Sequence, residues 1–102
     1  MKNWEELSKQ IVRVFGADWC PDCVRFKQVL ERNRVPYTEV NIDADPREKD
    51  YMIRKAGGFS IPQVEINGTH MVRGWHSEMP GKWNEQLFFQ ELTEALSTDS
   101  TE

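Results

Sequence analysis

The chain is poor in cysteine and histidine, with two of each among its 102 residues, and it has no long apolar run. No uncharged apolar stretch approaches the length that a bilayer span requires. Residues 1–6 lack the apolar core of a secretory signal. Lys and Arg are spread along the chain without a dense cluster, which argues against general affinity for nucleic acid. These absences predict a cytoplasmic protein with neither a membrane nor a nucleic acid as partner.

The composition is that of a folded, soluble domain. Hydrophobic residues make up 38% and charged residues 29%, and the formal net charge is −4, which places the chain among globular proteins. Its length suits one domain with one core. We therefore expect a single domain over residues 1–102, with a polar tail from about residue 97, and a monomer.

Both cysteines stand in one short run between a strand-like stretch and a helical pattern. Cys20 and Cys23 are separated by Pro21 and Asp22, so their sulfurs can close a small ring. A disulfide in so small a loop constrains the unfolded chain very little, because its stabilising effect grows with loop length. In a reducing compartment such a pair favours catalysis or metal binding over a structural role.

The position of the pair assigns different roles to the two thiols. Pro21 suits the first helical position, so Cys20 lies at the helix N-terminus, where free N–H groups and the dipole stabilise a thiolate. Cys23 lies one turn further on the buried face. We expect an exposed Cys20 to attack a substrate disulfide and a sheltered Cys23 to resolve the intermediate. Asp22 opposes the thiolate electrostatically, and Arg25 and Lys27 partly offset it.

Other interpretations of the cysteines remain open at this point. His70 and His76 could join them in a zinc site, although they are distant in sequence and lack the spacing of a zinc finger. Two chains could together supply four thiolates to an iron–sulfur cluster, which would make the protein a binding module. The cysteines could also be buried without any chemistry. We predict that the cysteine pair carries out redox exchange, with no bound metal or cofactor.

Hydrophobic periodicity and turn signals predict an α/β domain. The predicted strands lie at 11–15, 35–42, 61–66 and 70–72, and the helices begin at 21 and 46 and cover 87–96, with a short helix or turn before residue 11. Asp45 can cap the second of these helices and Glu48 can complete a capping box. Asn67-Gly68 is a strong hairpin signal. The order βαβαββα requires a four-stranded mixed sheet flanked by helices.

With these residues the chain resembles the thioredoxin superfamily, and most closely the glutaredoxins and glutaredoxin-like redoxins. The resemblance covers roughly residues 11–97 and rests on Cys20-Pro21-Asp22-Cys23 at a strand-to-helix turn, on Ser60-Ile61-Pro62 and on the element order. It implies a thioredoxin-like fold. It also implies a thiol–disulfide oxidoreductase that reduces protein disulfides or glutathione mixed disulfides.

The resemblance also implies a binding groove around the cysteines. Pro62 is expected to be cis and to lie against them, and Ile61 to pair its backbone with a bound peptide or glutathione. Trp19, Pro21 and Trp75 are expected to shape this groove, and Arg73 to bind a carboxylate. Phe59 is either a wall of the groove or part of the core. Trp83 is expected to pack under the last helix.

Several positions depart from the glutaredoxin pattern. Ala17 replaces a basic residue, Gly58-Phe59 replace basic or polar ones, and 72–76 replace Gly-Gly and an acidic pair. Family members use these positions to hold the carboxylates and amine of glutathione. The segment from Trp75 to Pro80 keeps the Trp-to-Pro spacing of redoxins that take electrons from thioredoxin reductase and pass them to ribonucleotide reductase. The electron donor is thus either glutathione or thioredoxin reductase. Pro21 and Cys23 argue against a cluster, since cluster-holding members tend to have one cysteine and a glycine there.

Overall fold

The computed structural model describes residues 3–74 and 84–97. Within them, the elements in chain order are α1 (Trp4–Leu7), β1 (Val12–Gly16), α2 (Pro21–Arg32), β2 (Thr38–Asn41), α3 (Pro46–Ala56), β3 (Gln63–Ile66), β4 (His70–Arg73) and α4 (Glu85–Ser97). After the short first helix, this is the predicted order. Among the described residues, no helix is long and apolar enough to cross a bilayer.

The strands form one mixed sheet in the order β2-β1-β3-β4. β1 and β2 are parallel, whereas β3 is antiparallel to both β1 and β4. The predicted four-stranded mixed sheet is therefore confirmed. This topology brings the carboxyl ends of β1, β2 and β4 and the amino end of β3 to one edge of the sheet, which we call the reactive edge. The Asn67 turn lies at the opposite edge.

The start and end of α3 follow from its sequence, with one difference from the prediction. The Asp45 carboxylate accepts hydrogen bonds from two backbone N–H groups of the first turn, at 3.2 and 3.4 Å. Gly57 ends the helix with φ 80°, a conformation that glycine adopts without strain. The Glu48 carboxylate, expected to complete a capping box, instead lies 2.8 Å from the guanidinium of Arg13. It joins the helix to the sheet.

Strand β2 is shorter than the predicted 35–42, because its first residues close the preceding helix. Arg34 adopts a positive φ of 61° after the end of α2. The N–H of Val35 then donates to the carbonyl of Leu30 at 2.9 Å. Val35 is thus bonded to α2 rather than to β1, and the ladder with β1 begins at Thr38.

Apolar side chains cover both faces of the sheet. Val12 and Val14 point to the face covered by α2 and α4, whereas Phe15 points to the face covered by α3. Phe26 lies in the first cluster and Met52 in the second. This alternation along β1 is what a strand buried on both faces requires.

A charged network interrupts the apolar face beneath α3. Arg13 and Glu65 are direct partners in the β1–β3 ladder, and their side chains meet at 2.6 Å. Tyr51 donates its hydroxyl to the other oxygen of Glu65. Burial raises the pKa of Glu65, but the hydrogen bonds from Arg13 and Tyr51 outweigh it and the net pKa is lowered. The hydrogen bond to Glu65 raises the pKa of Tyr51.

Candidate active site at the reactive edge

Cys20 and Cys23 form a disulfide at the N-terminus of α2, with their Cα atoms 5.2 Å apart. Cys20 is the N-cap residue and Pro21 is the first residue of the helix, as the sequence predicts. The Sγ of Cys20 accepts a hydrogen bond from the N–H of Cys23 at 3.1 Å. The same N–H group would stabilise a Cys20 thiolate when the pair is reduced, because it adds to the favourable field of the helix N-terminus.

The two cysteine residues differ less in exposure than predicted. Cys20 retains only 5% of its surface, and Cys23 is completely buried. The prediction of an exposed Cys20 is therefore wrong for the oxidised protein. The prediction that Cys20 is more exposed than Cys23 is correct. The Cys20 sulfur is bonded to Cys23 and accepts the N–H of that residue, so it lies at the first turn of the helix.

Gly16 allows the inner cysteine to approach the sheet. A Cβ atom on Gly16 would lie 2.9 Å from the Sγ of Cys23, closer than real side chains come. In the sequence, this glycine directly follows the predicted strand 11–15. Its place directly before the cysteine turn is the signal for a close approach of helix and strand.

Pro62 lies at the same edge. The Ile61–Pro62 peptide bond is cis, as the resemblance implied. Gln63 pairs with Phe15 in the β1–β3 ladder, so Pro62, one residue earlier, comes opposite Gly16. Its carbonyl accepts a hydrogen bond from Gly74 at 2.9 Å. The disulfide, the cis proline and the end of β4 thus meet at the reactive edge.

Trp19 is exposed beside the disulfide, with 62% of its surface accessible. Its indole N–H donates to the carboxylate of Asp43 at 2.8 Å. Asp43 follows β2, whose carboxyl end adjoins that of β1 because the two strands are parallel. Sequence reasoning missed this residue, although the predicted parallel pair is the signal that could have found it.

Comparison with known proteins identifies the family to which this site belongs. A model of the glutaredoxin family matches residues 12–71, which carry both cysteines and Pro62. The chain belongs to the glutaredoxin family. Members of this family are thiol–disulfide oxidoreductases, and the cysteine pair at the helix N-terminus fits that activity.

Individual glutaredoxins are similar to the chain in sequence and fold. A glutaredoxin of Pseudomonas aeruginosa is 38% identical over 60 residues, which are 59% of this chain and 71% of that protein. Glutaredoxin 3 of Escherichia coli is 30% identical over 60 residues, covering 59% and 72%. The crystal structure of a glutaredoxin from Archaeoglobus fulgidus has a TM-score of 0.60 at 22% identity, covering 94% of this chain and 96% of that one. This last likeness concerns the fold.

The structure describes only some of the remaining residues that were expected near the groove. Arg73 ends β4 and pairs with Gln63, which pairs with Phe15. Cross-strand partners share a face, so Arg73 starts on the α3 face rather than on the α2 face that carries Cys23. Phe59 is 51% exposed, with the ammonium of Lys49 5.5 Å from its ring centroid, so it is not a core residue. Trp75, His76 and Trp83 lie outside the described residues.

The zinc arrangement does not form from the histidine that the structure describes. His70 begins β4 and pairs with Ile66, which places it at the edge opposite the cysteines. In the ranges 3–74 and 84–97, no group of three or more His, Cys, Asp or Glu side chains is arranged to hold a metal ion. The hairpin therefore carries His70 away from the disulfide instead of toward it.

The charges on α2 are arranged in pairs. Arg25 lies 2.9 Å from the carboxylate of Asp22, one turn along the same helix. Lys27 points to Glu39 on β2. Of the two cations expected to offset Asp22, Arg25 does so directly and Lys27 is engaged elsewhere.

We predict that Asp22→Asn lowers the pKa of the Cys20 thiol, because it removes a negative charge from the first turn of α2. The pKa is read from thiolate absorbance against pH in the reduced protein. Glu39→Gln is the matched control, since it removes the same charge from a carboxylate paired with Lys27 on another element. An unchanged or raised pKa in Asp22→Asn would contradict the prediction.

Proposed function

We propose that the protein reduces disulfides of proteins, or mixed disulfides with glutathione, through the Cys20–Cys23 pair. The observation that carries this proposal is the disulfide at the start of α2, in which the Cys20 sulfur accepts the N–H of Cys23. A helix N-terminus with a donated N–H favours the thiolate, which is the nucleophile in disulfide exchange. We further propose that the protein works as a monomer in the cytoplasm, where the pair can be kept reduced.

The reaction consists of two exchanges. The Cys20 thiolate attacks one sulfur of the substrate disulfide, a bond forms between protein and substrate, and the other substrate sulfur leaves as a thiolate. The Cys23 thiolate then attacks the Cys20 sulfur, and the second substrate thiolate leaves. Two electrons pass from the dithiol to the substrate, and the two thiol protons end on its two products.

The oxidised pair must then be reduced by a second thiol system. Glutathione is the donor that the family implies. Thioredoxin reductase is a second candidate, because Ala17 is buried and offers no cation where glutaredoxins hold glutathione. Each donor returns the two electrons to the Cys20–Cys23 bond and regenerates the two thiols.

The activity is tested in a single turnover, so that no donor has to be assumed. The protein is reduced with dithiothreitol, desalted and mixed with hydroxyethyl disulfide, a small neutral substrate. We expect each chain to lose two thiols and to release two small thiols. Release at the uncatalysed rate would contradict the proposal. Oxidised protein is then supplied with glutathione and its reductase, or with thioredoxin reductase, to identify the donor.

A further inference from the structure

Exposed apolar surface is concentrated beside the disulfide. Trp19 directly precedes Cys20, and Val24, which is 40% exposed, lies one helical turn after it. Phe59 lies three residues before Pro62. The described residues contain one further exposed large apolar side chain, Ile11, which lies near Asn67 at the opposite edge. Aromatic and apolar side chains of this kind contribute contact area to protein interfaces.

Among residues 3–74 and 84–97, the charged side chains that adjoin Cys20 in sequence or bind Trp19 are mostly negative. Asp18 is exposed and precedes Trp19, and Asp43 accepts the indole N–H of Trp19. Asp22 lies in the first turn of α2, where it is paired with Arg25. Of these four charged groups, three are carboxylates and one is a guanidinium, which is paired with Asp22. Phe59 has a different environment, because the ammonium of Lys49 on α3 lies 5.5 Å from its ring centroid.

From this arrangement we infer which disulfides the site prefers, on the basis of the function proposed above. We propose that the surface formed by Trp19, Val24, Asp18 and Asp43 selects protein disulfides whose cysteine is flanked by Lys or Arg. The same surface disfavours anionic disulfides, oxidised glutathione among them. Asp18 and Asp43 are the specificity-determining residues, and Cys20 and Cys23 carry out the exchange as before.

Charge complementarity is the physical basis of this preference. Asp18 precedes the exposed indole of Trp19 in the chain and Asp43 accepts its N–H, and Trp19 directly precedes the attacking Cys20. A cation beside the substrate cysteine therefore approaches both aspartates when the two sulfurs meet. Two unit charges about 14 Å apart in water change a rate by a factor of roughly 1.7, so one aspartate changes the rate ratio between a cationic and an anionic substrate roughly threefold. The effect acts mainly on the encounter of the two molecules and is screened by salt. An anionic substrate meets the same field with the opposite sign.

The structure offers variants that separate charge from shape. Asn in place of Asp43 keeps an oxygen that can accept the Trp19 indole N–H at its observed 2.8 Å, while it removes the negative charge. Asp18→Asn likewise removes one charge at nearly constant volume. Glu5→Gln is the matched control, because Glu5 is exposed on α1. The substitution removes the same charge from a helix that does not contribute to the reactive edge.

The experiment measures single-turnover oxidation of the reduced protein by disulfide peptides of equal length. Their cysteines are flanked by Lys, by Ala or by Glu, and oxidised glutathione is a fourth substrate. We expect the Lys peptide to react roughly tenfold faster than the Glu peptide at low salt, and the ratio to shrink at about 0.5 M salt. Asp18→Asn and Asp43→Asn should each reduce the ratio roughly threefold and speed the reaction with oxidised glutathione.

The possible outcomes separate the preference from the activity. Equal rates for the Lys and Glu peptides would overturn the charge preference and leave the reductase activity intact. The same conclusion would follow if Glu5→Gln reduced the ratio of these rates as much as Asp18→Asn or Asp43→Asn does. Failure to oxidise the protein with the Ala peptide and with hydroxyethyl disulfide would overturn the proposed function itself. A faster reaction with the Glu peptide would contradict the proposal that Asp18 and Asp43 favour cationic substrates.

Discussion

Replacing Cys20 with serine is expected to reduce disulfide reduction to the uncatalysed background. The serine hydroxyl can occupy the N-cap position of α2 and accept the N–H of Cys23, so the helix start is kept. It cannot attack a disulfide as a thiolate does, because its proton is held far too tightly at neutral pH. The measurement is thiol release from hydroxyethyl disulfide by the reduced variant. Full activity would contradict the assignment of Cys20 as the nucleophile.

Replacing Cys23 with serine is the partner experiment, and its expected result is different. Cys20 still attacks, but no second thiol resolves the product, so a mixed disulfide between Cys20 and the substrate accumulates. Mass spectrometry of the variant after one equivalent of a disulfide peptide should show the protein plus one peptide half. Accumulation in Cys20→Ser instead would reverse the two roles. The burial of Cys23 against Gly16 makes that reversal incompatible with the observed geometry.

The parts of the site that sequence predicted depend on local signals. The Cys-x-x-Cys spacing, Pro21 at the first helical position and Asn67-Gly68 at the turn each fix a backbone conformation within a few residues, and the structure confirms all three. The cis bond before Pro62 came from the family resemblance, since an X–Pro bond is usually trans.

The parts that sequence missed depend on contacts between distant segments. Asp43 binds the indole of Trp19 from 24 residues away, and no local pattern marks that pairing. Glu48 has the spacing of a capping box, but Arg13 offers its carboxylate a stronger, charge-assisted hydrogen bond. The burial of Cys20, which keeps 5% of its surface accessible, contradicts the predicted exposure and is a property of the packed domain that no local pattern marks. Local sequence patterns fail to predict a side chain's contacts where a charged partner from a distant segment is available.

The largest effect on stability is expected from Arg13→Met. Glu65 is nearly fully buried, and its carboxylate lies 2.6 Å from Arg13. Removing the cation leaves a buried carboxylate without its partner, which costs about 3–5 kcal/mol. The lower end applies here, because the Arg13 side chain is 27% exposed and solvent screens part of the interaction. The free energy of unfolding, measured in urea at pH 7, should fall by about 3 kcal/mol.

Two further variants test whether the charge of Glu65 causes the loss. Arg25→Met makes the same substitution at an exposed pair with Asp22 and should cost less than about 1 kcal/mol. The double variant Arg13→Met with Glu65→Met should lose less stability than the sum of the two single variants, because it leaves no buried charge unpaired. Glu48, the other partner of Arg13, keeps 30% of its side-chain surface exposed to solvent. Additive losses would show that Arg13 acts through its packing on Phe15, whose ring centroid lies 4.9 Å from the guanidinium carbon.

The pH dependence of the same variant follows from the lowered pKa of Glu65 in the folded protein. The stabilisation from Glu65 is complete above the pKa of the unfolded carboxyl and is lost as the pH falls through the folded pKa. Without Arg13, the Glu65 carboxyl loses a hydrogen bond and a positive charge that lower its pKa, so its folded pKa rises. The gap in unfolding free energy between wild type and Arg13→Met should therefore narrow as the pH falls below about 4. Tyr51 makes a separate contribution to the free energy of unfolding at alkaline pH. Because its pKa is raised in the folded protein, this contribution is complete below the ordinary tyrosine pKa and is lost as the pH rises above it. A gap that stays constant from acid to neutral pH would assign the destabilisation to lost packing and exclude the ion pair as its cause.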